Sequence, residues 1–222
     1  IVDLSGWQTT SLQFLWSGIL SVVLALYSLT MPKCETNANK STGNIAQALG
    51  LEAFKLFKNY RMALFFIFSM LLGCCLQITN GYAGPFLQSF GINEIYQGTF
   101  GVEHSNILIS LSQMSETLCI LLIPFCLSRF GIKKVMLMSM LAWALRFGFF
   151  AIGNPGDGVW LLILSMIVYG IAFDFFNISG SLFVDKETDI SIRNSAQGVF
   201  MMMTNGFGAS LGMIVAGWVM NM

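Results

Sequence analysis

The chain has 222 residues, of which 55% are apolar and only 10% charged, against roughly 25% charged in an ordinary soluble domain. So few charges cannot clothe a core of this size in a polar shell, and a balance of 11 basic and 11 acidic residues leaves no basic face for nucleic acid. The five cysteines, Cys34, Cys74, Cys75, Cys119 and Cys126, have neither CxxC nor zinc-finger spacing, so buried free thiols are expected.

Six stretches are apolar over the roughly 20 residues needed to cross about 30 Å of hydrocarbon: 11–31, 62–83, 105–127, 134–153, 159–183 and 195–220. Inside lipid every backbone polar group must be satisfied within the segment, so these are predicted helices; a β-barrel would show short alternating segments instead. The fold class is therefore an all-α membrane protein with six transmembrane helices. Pro32, Pro85 and Pro155 fall just outside the spans, where helices should stop, and Pro124 lies one turn from the end of its span and should bend it. The chain opens on Ile1 and closes at Met222 within an apolar run, which suggests part of a longer polypeptide.

Basic residues alternate between connections. Lys33, Lys40, Lys55, Lys58 and Arg61 lie between the first two spans, Arg129, Lys133 and Lys134 between the third and fourth, and Lys186 and Arg193 between the fifth and sixth. The connections 84–104 and 154–158 contain no Lys or Arg. The positive-inside rule then places loops 32–60, 128–134 and 184–194 in the cytoplasm and supports the span count. The first connection is polar from Glu35 to Asn44 and amphipathic from Ala46 to Phe57, which predicts an interfacial helix joining two bundles. The expected organisation is a helix over 1–31, a cytoplasmic connector over 32–60 and a helical bundle over 61–222.

Three ionisable residues remain inside spans: Glu116, Arg146 and Asp174. Each costs about 2.5–3.5 kcal/mol to insert at mid-bilayer, so each should face a cavity or a partner. They are candidates for a substrate or proton pathway, or for an Arg146–carboxylate ion pair that ties helices together. Gln77 and Asn80 share a helix face at a spacing of three, and Gln113 and Glu116 repeat that spacing on the next helix. Tyr169 and Phe173, four apart, put two rings on one face of the fifth span. Amides and a carboxylate can read ring edges or sugar hydroxyls, and aromatic faces can stack on a planar ring; interhelical bonding and core packing are the competing uses. Gly208, Gly212 and Ala216 form a small-xxx-small stripe that predicts close helix packing. Thr204 and Asn205 on the same span are weaker cavity candidates, His104 reads as a surface histidine, and Asn177-Ile178-Ser179 is a glycosylation pattern buried in a span. There is no nucleophile elbow, metal-ligand cluster or phosphate-binding glycine loop, which disfavours a membrane enzyme.

The loop Ser128-Arg129-Phe130-Gly131-Ile132-Lys133-Lys134 resembles the Arg-x-Gly-x-basic-basic connection of the major facilitator superfamily. Longer stretches are similar to the nucleoside:proton symporter family, the bacterial nucleoside permeases. They include Phe65-Phe66-Ile67-Phe68-Ser69, Leu76-Gln77-Ile78-Thr79-Asn80, Ser112-Gln113-Met114-Ser115-Glu116 and, most densely, Tyr169 through Ser181. Cys74-Cys75 departs from the family pattern. The resemblance implies proton-driven nucleoside uptake across the bacterial inner membrane, with the proton as coupling ion and no other cofactor. It also implies that the six spans are helices 6–11 of a twelve-helix fold, with helix 12 missing and the N-terminal helical half of the same protein as partner. Gln77, Asn80, Gln113, Glu116, Tyr169 and Phe173 would then contact the nucleoside, with coupling carried by Glu116 or Asp174. The alternatives are a carrier of another polar solute, such as a sugar, and a non-transporting receptor or scaffold.

Overall fold

The computed structural model describes residues 10–32 and 51–220. By internal contacts the chain forms two units, 1–43 and 44–222. In the first, the described segment is one apolar helix, α1 (Leu12–Ser28), none of whose residues is buried by the chain. Backbone bonds from Leu29 to Leu26, Thr30 to Tyr27 and Met31 to Ser28 carry the winding on to Met31, close to the end expected from hydropathy. Lys33, Cys34, Lys40, the polar run Glu35–Asn44 and the start of the expected amphipathic helix lie outside the described residues.

The second unit is helical throughout its described regular structure, and four of its helices are long and apolar enough to cross a membrane. They are α2 (Tyr60–Ser89), α4 (Ser105–Ile152), α5 (Val159–Glu187) and a last helix, Arg193–Met220. A single-turn helix, α3 (Phe100–Glu103), precedes α4. The 48 residues of α4 would run about 70 Å if straight, more than twice the roughly 30 Å of hydrocarbon. Gly131 interrupts it with φ 76° and ψ 165°, a conformation essentially reserved for glycine. The helix thereby divides into two arms, and four long helices supply the five spans expected over 62–220. The basic motif Arg129, Gly131, Lys133, Lys134 is thus not an open loop. One left-handed glycine reverses the chain while its neighbours stay helical.

Two further boundaries differ from expectation. Pro85 lies inside α2 rather than beyond it; a transmembrane helix tolerates proline where neighbours satisfy the carbonyl it leaves free. The start of α2 is better marked, because Asn59 caps it by accepting the Arg61 N–H at 3.0 Å. The last helix is composite: α6 (Arg193–Met201), a π-helical segment Met202–Gly208 and α7 (Ala209–Met220).

Packing shows that the helices alternate in direction. At one end the start of α2 (Met62, Phe65, Phe66) meets the end of α5 (Val184) and α6 (Ala196, Phe200). Ala53 is buried here, and Phe57 lies 5.1 Å from Phe66. Ala53, Leu56 and Phe57 of the 3₁₀ helix Leu51–Lys58 thus pack on the bundle, while Leu51 and Phe54 stay exposed. At this end Gln197 also ties α6 to α5, donating to the Ser181 carbonyl and to Asp185, each at 2.8 Å. At the other end Leu87 of α2 meets Leu108, at the start of α4, and Leu162, at the start of α5. Met114, Leu118, Leu121, Leu122 and Phe125 of the first α4 arm stay exposed, as a lipid-facing surface must. Cys74, Cys75, Cys119 and Cys126 are free thiols, the last two buried.

Glycine sets the closest approach. A Cβ on Gly73 would lie 2.1 Å from the Thr204 carbonyl oxygen, one on Gly208 2.4 Å from that of Met70, and one on Gly212 2.8 Å from that of Cys74. The expected stripe on the last helix thus meets a glycine of α2 that the sequence reading did not single out, although Ser69 and Gly73 have the same spacing. Gly73→Ala should cost about 1–3 kcal/mol through overpacking. Gly148→Ala, with nothing within 4 Å of the added Cβ, should be neutral or stabilise by up to about 1 kcal/mol. Thermal unfolding of both variants in detergent checks the pair; equal melting points would refute the close contact.

Candidate functional site

The helix spacings read from sequence converge in space. A cavity of about 500 Å³ opens in the middle of the second unit, lined from α2 by Leu76, Gln77, Thr79, Asn80 and Ala83. The first arm of α4 contributes Ile109, Ser112, Gln113 and Glu116, the second arm Arg146, α5 Met166, Tyr169 and Phe173, and the π segment Asn205. All six residues expected to contact a substrate therefore lie on one cavity, of a size within the range of small-molecule sites. Ser112 was not singled out. It stands four residues before Glu116, the same helical stripe, and donates to the Met166 sulfur at 3.0 Å. Thr204 does not reach this cavity; it lines a neighbouring void of about 30 Å³ together with Asn177 and Asn205.

A polar chain crosses the site. The Arg146 guanidinium, only 2% exposed, donates from Nη1 to the Ser165 carbonyl at 2.8 Å. The Ser165 hydroxyl returns a bond to the Arg146 carbonyl at 3.1 Å. These reciprocal bonds lock the second arm of α4 to α5. The guanidinium carbon lies 4.2 Å from the Tyr169 ring centroid and 5.3 Å from that of Phe150, within the range of a cation–π contact. Tyr169 in turn donates from its hydroxyl to Asn80 Oδ1 at 3.1 Å, which carries the chain to α2.

Two expectations change here. Arg146 makes no ion pair with a carboxylate among the described residues: Glu116 acts on it only through the electrostatic field, and aromatic faces with a backbone carbonyl hold it instead. Tyr169, 3% exposed, has one face beneath Arg146 and stands edge-on to Trp143 at 6.0 Å. Little of its ring is left to stack on a ligand. Phe173 lies parallel to it, 6.0 Å away at 7°, and is only half-buried; it offers the aromatic surface that Tyr169 lacks.

The carboxylates occupy different places. Glu116 is half-buried and lines the cavity. Asp174 is 5% exposed, lies outside the lining, and keeps Oδ2 buried without a hydrogen-bond partner. It interacts through space with Glu116 and with Cys119. His104 packs against Phe100 with ring centroids 5.2 Å apart, at the junction of α3 and α4. No cluster of His, Cys, Asp and Glu suited to a metal occurs among the described residues.

A polar chamber walled by membrane-crossing helices is the architecture of a solute carrier. The nucleoside H⁺ symporter family model matches residues 1–222. The nucleoside permease NupG of Escherichia coli (strain K12) is 54% identical over 223 residues, covering all of this chain and 53% of its own length. The xanthosine permease of the same organism is 56% identical over 217 residues, 97% of this chain and 52% of its own. A crystal structure of an aspartate-to-alanine mutant of the nucleoside transporter NupG matches with a TM-score of 0.86 at 54% identity, over 98% of this chain and 55% of that one. The chain belongs to the nucleoside H⁺ symporter family. It is a multi-pass protein of the bacterial inner membrane, its family being one of transporters and not of enzymes. It spans about half the length of the curated relatives it matches.

The polar chain makes a measurable claim. A double-mutant cycle with Tyr169→Phe and Asn80→Ala, read by thermal unfolding, should return a coupling of about 0.6–1.7 kcal/mol, the range of interhelical hydrogen bonds in membranes. Strict additivity would mean that the hydroxyl and the amide do not meet.

Proposed function

We propose that the chain forms one half of a proton-coupled nucleoside transporter working by alternating access. A second helical half, equivalent to the remainder of the relatives' length, would close the cavity. The observation that carries this reading is the convergence of Gln77, Asn80, Gln113, Glu116, Tyr169 and Phe173 on one chamber of about 500 Å³. In hydrocarbon, polar groups that only braced helices would pair off within their own helix contacts. Here the side chains of Gln77 and Gln113 line the chamber with no hydrogen bond to another described side chain, while Tyr169 interacts with Glu116 and joins Asn80 across the chamber.

The roles follow from donor and acceptor inventory. Gln77 and Gln113 can each donate and accept, and Glu116 accepts when ionised; together they suit the hydroxyls of a ribose and the edge of a base. Phe173 supplies a face for the base. Relatives named for nucleosides and for xanthosine favour this solute class over sugars. The basic connections, 32–60, 128–134 and 184–194, would face the cytoplasm. The organisation is then a helix over 1–31 completing the other half, a connector over 32–60 and the bundle over 61–222.

Coupling would reside in the carboxylates. Glu116 can sense both proton and ligand, because it lines the cavity. Asp174 has a buried oxygen with no partner, a state that costs least when the group is neutral. A ligand or proton shifts a two-state carrier only by its difference in affinity for the two states. Losing the charge of one carboxylate also relieves the repulsion between the two, and so links them.

Carboxamides mimic the protonated acids but cannot release a proton. In the naturally encoded full-length protein, Glu116→Gln and Asp174→Asn should each abolish uridine accumulation driven by an inward proton gradient. Downhill exchange should persist at a measurable rate in at least the Asp174→Asn variant. Uptake in vesicles with and without an imposed pH gradient checks this, and full gradient-driven accumulation by both variants would remove coupling from these two groups.

A further inference from the structure

Arg146 is held more firmly than a brace requires and satisfied less than a buried cation needs. Its side chain is 2% exposed and borders the cavity. A guanidinium carries five N–H donors and no acceptor, yet among the described residues its one hydrogen bond is from Nη1 to the Ser165 carbonyl. Nε is enclosed with no partner. Among the described residues no carboxylate is paired with it, and the aromatic rings of Tyr169 and Phe150 cover its π surface, which leaves in-plane donors directed away from those rings. The bond from Nη1 to the Ser165 carbonyl and the Tyr169 stack orient the group. Such a site is preorganised for an oxygen acceptor that the described residues do not supply.

The position selects which part of a ligand that acceptor belongs to. Arg146 covers Tyr169, whose parallel neighbour Phe173 offers the open aromatic face on which a planar base would lie. The hydroxyl-reading amides Gln77 and Gln113 are carried by α2 and the first arm of α4, while Glu116 reaches Tyr169 beneath the guanidinium. Ribose hydroxyls can donate as well as accept and are served by those groups; a donor-only cation matches a carbonyl oxygen far better.

We propose that Arg146 is a specificity-determining residue that reads a carbonyl oxygen on the nucleobase. The inference rests on the nucleoside-transport reading and adds to it a ranking of substrates. Bases carrying a ring carbonyl beside this wall are favoured over those bearing an amine or a hydrogen at the same position. The discrimination expected of a hydrogen bond from a charged donor is about tenfold to a hundredfold.

At purine position 6 inosine carries a carbonyl, adenosine an amine and purine riboside hydrogen. Inosine also bears N1–H where the other two have a bare ring nitrogen, and 1-methylinosine, which keeps the carbonyl without that N–H, separates the two differences. The wild-type full-length protein should transport inosine with a kcat/KM at least about tenfold above purine riboside; equal values would overturn the proposal without any variant. In Arg146→Met the inosine-to-adenosine ratio of kcat/KM should fall about tenfold or more, and Arg146→Lys, which keeps the charge and a donor, should recover part of it. A ratio unchanged in Arg146→Met, even with both rates reduced, would make Arg146 a brace only and overturn the proposal. Failure of the wild type to take up any nucleoside would instead remove the transport reading itself.

Discussion

In hydrocarbon a hydrophilic side chain has only one inexpensive direction to face, which is inward, and most of the architecture follows from that constraint. Gln77, Asn80, Gln113, Glu116 and Arg146 sit on three helical segments that are otherwise apolar and expose leucine and phenylalanine outward. Turning these residues toward one another is the arrangement that leaves fewest polar atoms in lipid, and the chamber results from it. Its width is then set by how closely the helix backbones approach. Gly73 against Thr204 and Gly170 against Ser115 leave no room for a Cβ, with 2.1 and 2.7 Å to the nearest backbone atom. The glycines hold the walls at fixed separation without touching the cavity.

The guanidinium of Arg146 organises the interior that remains. A charge in this setting needs its field and its donors met; the Ser165 carbonyl, two aromatic rings and the field of Glu116 meet them in part, and Nε stays without a partner. Because Tyr169 is held by that stack and also donates to Asn80, the second α4 arm, α5 and α2 are joined in one polar chain. Moving any of these helices breaks a hydrogen bond or opens the cation–π contact, so the chamber should change shape in steps rather than continuously.

Much of this was legible in the sequence, and for a definite reason. Polar residues inside a span are costly and rare, so spacings of three or four among Gln77, Asn80, Gln113 and Glu116 carry information that the same spacings on a soluble helix would not. The alternation of basic connections marked the span count, and the structure keeps it even though Gly131 merges two spans into one helical path. What could not be read was geometry between elements. Arg146 was expected to find a carboxylate because charge is visible in a sequence; its actual partners are a carbonyl and ring faces, which every residue or any aromatic could have provided. Tyr169 looked like a stacking surface until the cation above it occupied the ring. Gly73 was overlooked because its importance depends on the carbonyl of Thr204, 131 positions away in the chain. The π-helical turn Met202–Gly208 leaves no periodic signature, since the segment is short and its flanks are ordinary helix.

The placement of the acids bears on how a chamber like this could couple binding to protons. Phe173 and Asp174 are adjacent on α5, so their side chains leave the helix about 100° apart: one reaches the cavity, the other is buried on the neighbouring face toward the first α4 arm. A rotation or tilt of α5 that moves the aromatic wall must also move the buried carboxylate, while Glu116 on the facing arm meets both the ligand space and the field of Asp174. Ligand contact and charge thus share one rigid body without sharing a surface. On the proposed reading that separation is useful, because the nucleoside need not displace the proton to influence it; it only has to favour the helix position in which the acid is better off neutral.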